Sequence, residues 1–320
     1  MSWTIRDFDI EKDSGPGAAL VTASTSSPLT EQLFRSRIEN WPQGQPVMRR
    51  SVDCEGEFAA YLRIGQMSPN PKNAFMVSLF VDKRYRRQGI GGELLDLAIE
   101  FAGENKASAL VTMTMESDTE GVGFSCNRGF EIAARLFDSY LDLTTYEPEQ
   151  HNAARERVEA DGYRIASLEE FELDMSIRRA VFDMFTTADK GTPGVEFYGL
   201  TPWETFNADV FESEDMPPES ITIALCGDEF VGYSNVSKGG VTDSDKMYTG
   251  FTGVVPEHRG NGLAYAMKVK GIEYCIMQGA KSLKTENDTR NAPMLAVNRK
   301  LGFKEEQGEV MLVKELEAKA

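Results

Sequence analysis

Arg86-Arg87-Gln88-Gly89-Ile90-Gly91-Gly92 and, 173 positions later, Arg259-Gly260-Asn261-Gly262-Leu263-Ala264 are the stretches that decide the fold. Each follows a short, mostly apolar run and precedes a segment with helical periodicity. Each therefore reads as strand, tight turn, helix. Small residues in such a turn let a ligand approach the backbone closely. The first helical turn presents free N–H groups and the positive end of its dipole. The combination is an anion site suited to a pyrophosphate. Lys83, Arg84, Arg86 and Arg87 gather at the first stretch, a local reversal of sign in a chain of net charge −17.

Rival nucleotide motifs do not fit. A dinucleotide fingerprint needs a third glycine where Leu94 stands. A phosphate-binding P-loop needs Gly-Lys-Ser/Thr, and neither turn is followed by it. The cysteines, Cys54, Cys126, Cys226 and Cys275, form no CxxC pair, and His151 and His258 lie far apart, so no metal site is expected. An acidic surface repels phosphate backbones, so no nucleic-acid partner is expected; it attracts amines and other cations. No apolar run is long enough to span a bilayer, and the start has neither a basic nor an apolar leader region. A cytoplasmic protein without a membrane partner is the expectation.

The same offset of 173 aligns Val81 with Val254, Ile99 with Ile272, Leu110 with Leu283, and Gly129-Phe130 with Gly302-Phe303. An ungapped series of this kind points to duplication. Upstream the register shifts, which leaves extra residues in the second copy. Lys190-Gly191-Thr192-Pro193-Gly194 through Thr201-Pro202, rich in Gly and Pro, is the evident place for them. The expected domains are residues 1–145 and 161–320, joined by a helix over 146–160 that has Pro148 near its start and Gly162 past its end. Each copy reads as strand, helices, three strands, helix, strand, helix, strand: an α/β fold.

At these residues the sequence resembles the GNAT acetyltransferase superfamily. The shared motif is Arg/Gln-x-x-Gly-x-Gly/Ala after a strand, with Gly-Phe in the last third, and both copies carry it. The tandem arrangement is similar to that of mycothiol synthase and of many bacterial two-domain members. The resemblance implies two mixed, mostly antiparallel sheets flanked by helices, with acetyl-CoA as cofactor. It places the coenzyme on Leu79, Val81, Arg86, Arg87, Gln88, Gly89, Ile90, Gly91 and Gly92. In the second copy it places it on Thr252, Gly253, Val254, His258, Arg259, Gly260, Asn261, Gly262, Leu263 and Ala264, with Asn291 touching it as well. The strand before each turn is expected to splay from its neighbour. Many members carry a tyrosine five residues before the phenylalanine of Gly-Phe, able to protonate the leaving thiolate. Here those positions are Ser125 and Asn298; either can hydrogen-bond the sulfur, but neither is a comparable acid.

The implied reaction is acyl transfer from acetyl-CoA to the amine of a small molecule by direct attack. The alternatives are a protein N-acetyltransferase and a non-catalytic acyl-CoA-binding module. Candidate bases are Tyr248, on the strand before the second turn, and Glu196 and Glu204, in or beside the Gly/Pro-rich insertion. Asn291 and Asn298 share one helical face, whereas the first copy has Asp118 at the first of these positions, and Gly121 and Gly123 are expected to interrupt its helix. Residues 1–145 carry 15 basic and 20 acidic groups, and the remainder carries 19 and 31. On these grounds turnover is expected in the second copy, and a structural or regulatory role in the first.

Overall fold

The computed structural model describes residues 2–25, 29–66, 69–238 and 245–316. In chain order the first half runs β1 (Trp3–Asp7), α1 (Ile10–Ser24), α2 (Glu31–Glu39), β2 (Val47–Cys54), β3 (Glu57–Gly65), β4 (Ala74–Val81), α3 (Ile90–Glu104), β5 (Ala109–Met115), α4 (Thr119–Asn127) and β6 (Glu131–Asp142). The second half runs α5 (Asn152–Ala160), β7 (Tyr163–Ser167), α6 (Met175–Asp189), α7 (Val195–Tyr198), α8 (Trp203–Phe211), β8 (Ile221–Cys226), β9 (Glu229–Ser237), β10 (Lys246–Val254), α9 (Leu263–Met277), β11 (Ser282–Asp288), α10 (Ala292–Leu301) and β12 (Lys304–Glu315). Among the described residues no helix is long and apolar enough to cross a membrane.

Two compact units result. Unit 1 holds residues 1–135, 196–199 and 308–320; unit 2 holds 136–195 and 200–307. In unit 1 the strands lie in the order β1-β2-β3-β4-β5, and the last residues of β12 close the row against β5. Neighbours are antiparallel except β4 and β5, which are parallel. Strand side chains alternate between the two faces. Leu62, Ile64, Phe75 and Val77 face one way and pack with Leu94, Leu95 and Ala98 of α3. Tyr61 faces the other way, among Ala18 and Leu20 of α1 and Phe34 of α2. Fully burying one such large apolar side chain contributes roughly 1.5–3 kcal/mol.

Unit 2 repeats the plan in the order β7-β8-β9-β10-β11, closed by residues of β6 against β11. Its one parallel pair is β10 with β11. α6 and α8 pack on one face through Phe185 and Phe206, and α9 packs on the other through Leu263, Ala266 and Met267. A bulge in β10 sets Gly250 and Phe251 opposite Asn235 alone. It turns the Phe251 ring onto Phe185, 4.7 Å between centroids.

The order of elements expected from the sequence is found in both copies. The helix at Gly121 and Gly123 corrects the expectation that it is interrupted. α4 is continuous over nine residues because the Asp118 carboxylate caps it, accepting from the Gly121 N–H at 3.0 Å. A cap on the first turn, worth about 1 kcal/mol, offsets part of the conformational cost of the glycines.

Candidate active site

In unit 1 the splay expected between the strands is present. β4 and β5 pair only from Ala74 with Ala109 to Val77 with Thr112. Beyond that, β4 stays bonded to β3 as far as Val81, and β5 stays bonded to β12. Backbone groups of Ser78 to Val81 on the β5 side therefore have no strand partner. A cleft of about 790 Å³ opens there, within the ordinary size of a small-molecule site. Leu79, Val81, Arg86, Arg87, Gly89, Ile90, Gly91 and Gly92 all line it; Gln88 is not among the lining residues.

The turn at the cleft mouth is built for close approach. Gly89 caps α3 in the left-handed region at φ +92, and a Cβ added there would meet nothing within 4 Å. Arg87 shares that region at φ +64, unusual for a residue with a side chain. No side chain caps the helix, so the N–H groups of Ile90 and Gly91 have no internal partner, whereas that of Gly92 already donates to the Gly89 carbonyl at 2.9 Å. Arg86 turns its Nε to the Val81 carbonyl at 3.2 Å and its outer nitrogens to Asp118 and Glu120 at 3.3 Å. Arg87 meets Glu120 at 3.2 Å. Ser125, 7% exposed, and Glu309 of β12 also line the cleft.

In unit 2 the parallel strands also part, after Thr249 and Thr285, and Gly260, Asn261 and Gly262 are exposed. Its turn has the same backbone, with Gly260 at φ +84 and Gly262 at φ +81. Val158 of α5, 2% exposed, lies against it, 3.6 Å from where a Gly262 Cβ would stand. Arg259 donates to the Val254 carbonyl at 2.9 Å, as Arg86 does to Val81, and to the Ala188 carbonyl at 3.2 Å. His258 Nδ1 and the Tyr163 hydroxyl are 3.1 Å apart, and Asn261 donates to that same hydroxyl at 3.0 Å. A Cβ on Gly253 would meet the Phe251 ring at 2.4 Å and Ala188 at 3.0 Å. The Thr252 hydroxyl bonds Ser234, Leu263 is buried, and Ala264 packs on the core.

The candidate bases are not brought together. Tyr248 reaches Glu286 at 3.4 Å, and burial followed by that carboxylate raises its phenol above the ordinary value, so it is no base at neutral pH. Glu196 belongs to unit 1, its carbonyl accepting from the Lys72 N–H at 3.0 Å. Glu204 is exposed in the first turn of α8. Asn298, 3% exposed, donates to Asn287 at 2.8 Å, and Asn287 donates to Ser139 at 2.9 Å. That is a buried structural network. Asn291 caps α10, accepting from the Met294 N–H at 3.3 Å, the same task Asp118 performs for α4.

One feature of unit 1 has no motif to announce it. Arg63 lines the cleft and stands beside Arg49 across β2 and β3. Both guanidiniums lie over the Trp41 ring, at 5.7 and 5.2 Å from its centroid. The only trace in the sequence is a cation at a position whose strand neighbours Leu62 and Ile64 are apolar.

A splayed parallel pair followed by a glycine turn that opens a helix, built twice, defines an acetyltransferase-type fold. The profile of the Acetyltransferase (GNAT) family matches residues 18–130 and 183–303, and the chain belongs to that family. N-alpha-acetyltransferase 30 of Xenopus laevis is 29% identical over 123 residues, 38% of this chain and 44% of that protein. The Homo sapiens protein matches at the same 29% over 123 residues, 33% of its length. The chain thus spans less than half the length of these curated relatives. A GCN5-related N-acetyltransferase from Sphaerobacter thermophilus superposes with a TM-score of 0.70 at 21% identity, covering 98% of this chain and 95% of that one. A tandem GNAT protein from the clavulanic acid biosynthesis pathway gives 0.67 at 20% identity, covering 98% of each chain. At such identities the likeness is one of fold.

Proposed function

We propose that the chain is an acetyl-CoA-dependent N-acyltransferase acting on the amine of a small molecule, with its active centre in the cleft of unit 1. The open splay beside the uncovered Gly89 turn carries this reading. The cleft residues fit the coenzyme: a long groove, an unpaired strand edge, and a helix start free of side-chain caps. Acetyl-CoA supplies an activated acyl group as a thioester. The chain's part is to hold and orient. The first N–H groups of α3 bind phosphate oxygens. The edge of Ser78 to Val81 hydrogen-bonds an amide-bearing arm, and the Ser125 hydroxyl is a donor inside the cleft. Positioning of this kind contributes several kcal/mol to the rate. Turnover was expected from the sequence in the second copy; we place it in the first because the described cleft lies there, and in unit 2 Phe251 and Ala188 crowd the strand at Gly253. A second reading, acetylation of a protein's N-terminal amine, is favoured by the N-alpha-acetyltransferase relatives.

The test is CoA release by wild type, Gly89→Glu and Gly262→Glu with one panel of small amines and short peptides, alongside calorimetry with acetyl-CoA. Gly89→Glu sets a carboxylate where the phosphates bind and is expected to lose both binding and turnover. Gly262→Glu is expected to keep them, its fold checked by circular dichroism. The opposite pattern places the active centre in unit 2. Turnover on peptides alone selects the second reading.

A further inference from the structure

Arg49, Arg63 and Ser78 stand in register across three neighbouring strands, Arg49 opposite Arg63 and Arg63 opposite Ser78. All three lie on the face that carries Tyr61 and Phe80, covered by α1 and α2. Ser78 is the first β4 residue past the point where β4 and β5 part. The row therefore leads from the interior of the sheet to the cleft, and both Arg63 and Ser78 line that cleft.

The two arginines are underused. Arg63 donates to the Ser78 hydroxyl at 2.8 Å, but its Nε is buried with no acceptor. Nε and one outer nitrogen of Arg49 are also buried without acceptors. No carboxylate among the described residues pairs with either side chain. The groups found against them are neutral or cationic: Trp41 beneath both, the Tyr61 hydroxyl beside Arg49, and Arg37 from the last turn of α2 near Arg63. A guanidinium does not shed its proton, so burial leaves uncompensated charge rather than a neutral group. Two adjacent half-buried cations, with buried nitrogens that have no acceptor, are costly unless an anion joins them. The site is also firmly built. Trp41 sits over Gly65, where an added Cβ would come within 2.7 Å of the indole and 2.8 Å of the Pro46 carbonyl.

We propose that Arg63, backed by Arg49 and Trp41, binds a carboxylate of the acceptor, so that the substrate is a small amino acid bearing both the reacting amine and an anionic group. The proposal rests on the unit 1 active centre argued above. A planar carboxylate matches the fork of a guanidinium, and Ser78 supplies a further hydroxyl beside it. Such a site holds the amine end toward the splay, where the thioester of a coenzyme on the β4 edge would lie. It also opposes the expectation drawn from the net charge. The acidic surface favours cations, but the wall of this cleft is locally cationic.

The experiment compares linear ω-amino acids of increasing length with their carboxamides and with the matching diamines. Acetyl transfer is read as kcat/KM, and binding is read separately by calorimetry. For the best chain length, wild type is expected to favour the acid over its amide by 10-fold or more. Arg63→Met is expected to bring that ratio close to one, and Arg63→Lys to restore part of it. Acetyl-CoA affinity should be the same in all three. If no amine is acetylated but amino acids bind more tightly than amides in an Arg63-dependent way, the catalytic reading fails and the anion site stands. Equal binding of acid and amide by wild type overturns the proposal. So does a loss of acetyl-CoA affinity in Arg63→Met, which would assign the arginines to the coenzyme's phosphates. If Arg63→Met does not fold, the Arg63→Lys ratio decides: a ratio identical to wild type's at every chain length overturns it.

Discussion

Lys268 stands where the repeat has Leu95, and the two residues show how one position separates the copies. Leu95 lines the cleft of unit 1. Lys268 is 4% exposed, its Nζ is 3.4 Å from the Thr249 hydroxyl, and burial pushes it down to about 7. The unfolded chain holds that proton up to the ordinary lysine range near 10. Between the two values the unfolded state binds more protons, so stability rises with pH there. The cost of the buried charge is therefore full below pH 7, on the order of a few kcal/mol, and is gone above the unfolded value. Lys268→Leu is expected to raise the melting temperature at pH 6.5 and to raise it by progressively less toward pH 10. A gain that is the same at both pH values would mean that packing, not charge, is the cause. Arg63 carries the same lesson on the other side of the repeat. Net charge describes a whole surface, whereas binding depends on the few groups that wall a cleft.

Helix starts are the elements on which the site depends. Both α3 and α9 begin at an exposed left-handed glycine; a Cβ on Gly89 would meet nothing within 4 Å, and one on Gly262 would touch Val158 of α5 at 3.6 Å. The turns themselves were legible in the sequence, since a left-handed glycine before an apolar helical face is a local matter. So was the order of strands and helices, while the splay was implied by the family resemblance. The crowding at Gly253 in unit 2 was not legible. It depends on Ala188 and Phe251, ordinary apolar residues brought there by α6 and a bulge. The local tasks of the amides were not legible either: Asn291 caps α10, and Asn298 donates to Asn287 inside unit 2. The cap of α4 offers a clean test, because asparagine caps as well as aspartate. Asp118→Asn keeps the bond to Gly121 and removes one carboxylate 3.3 Å from Arg86. Acetyl-CoA affinity by calorimetry is then expected to rise roughly 3- to 5-fold, up to ~1 kcal/mol for a part-exposed pair, with the gain smaller at high salt. An unchanged affinity would mean that Arg86 serves the Val81 carbonyl and not the ligand.

At the scale of the whole molecule, sequence repeat and compact unit part company at the last strand. Glu309 to Glu315 of β12 pair with Met115 to Ala109, so the final strand of the second repeat completes the sheet of unit 1. Leu136 to Asp142 of β6 pair with Asp288 to Ser282, so the final strand of the first repeat completes the sheet of unit 2. Duplicated copies share one hydrophobic pattern, and a strand that fits one sheet edge fits its counterpart, so nothing local in the sequence records the exchange. The consequences are specific. Leu312, fully buried, belongs to the core around Leu94 and Phe130, and the Gly308 N–H bonds Glu116 at 2.8 Å. Leu141 and Leu143 belong to the core around Val269 and Phe303. A fragment of residues 1–145 would lose Leu312 from its core and expose β5 as an unpaired apolar edge, a route to aggregation. Removing a buried leucine alone costs about 2–5 kcal/mol, a large part of what holds a domain folded. Fragment 1–145 is therefore expected to lack native near-UV circular dichroism and cooperative melting, as is the fragment 146–320. Co-expressed, the two are expected to purify together and to regain both signals, since each supplies the strand the other lacks. Cooperative melting of 1–145 by itself would show that β5 needs no partner from the end of the chain, and the exchanged strand would then be dispensable to unit 1.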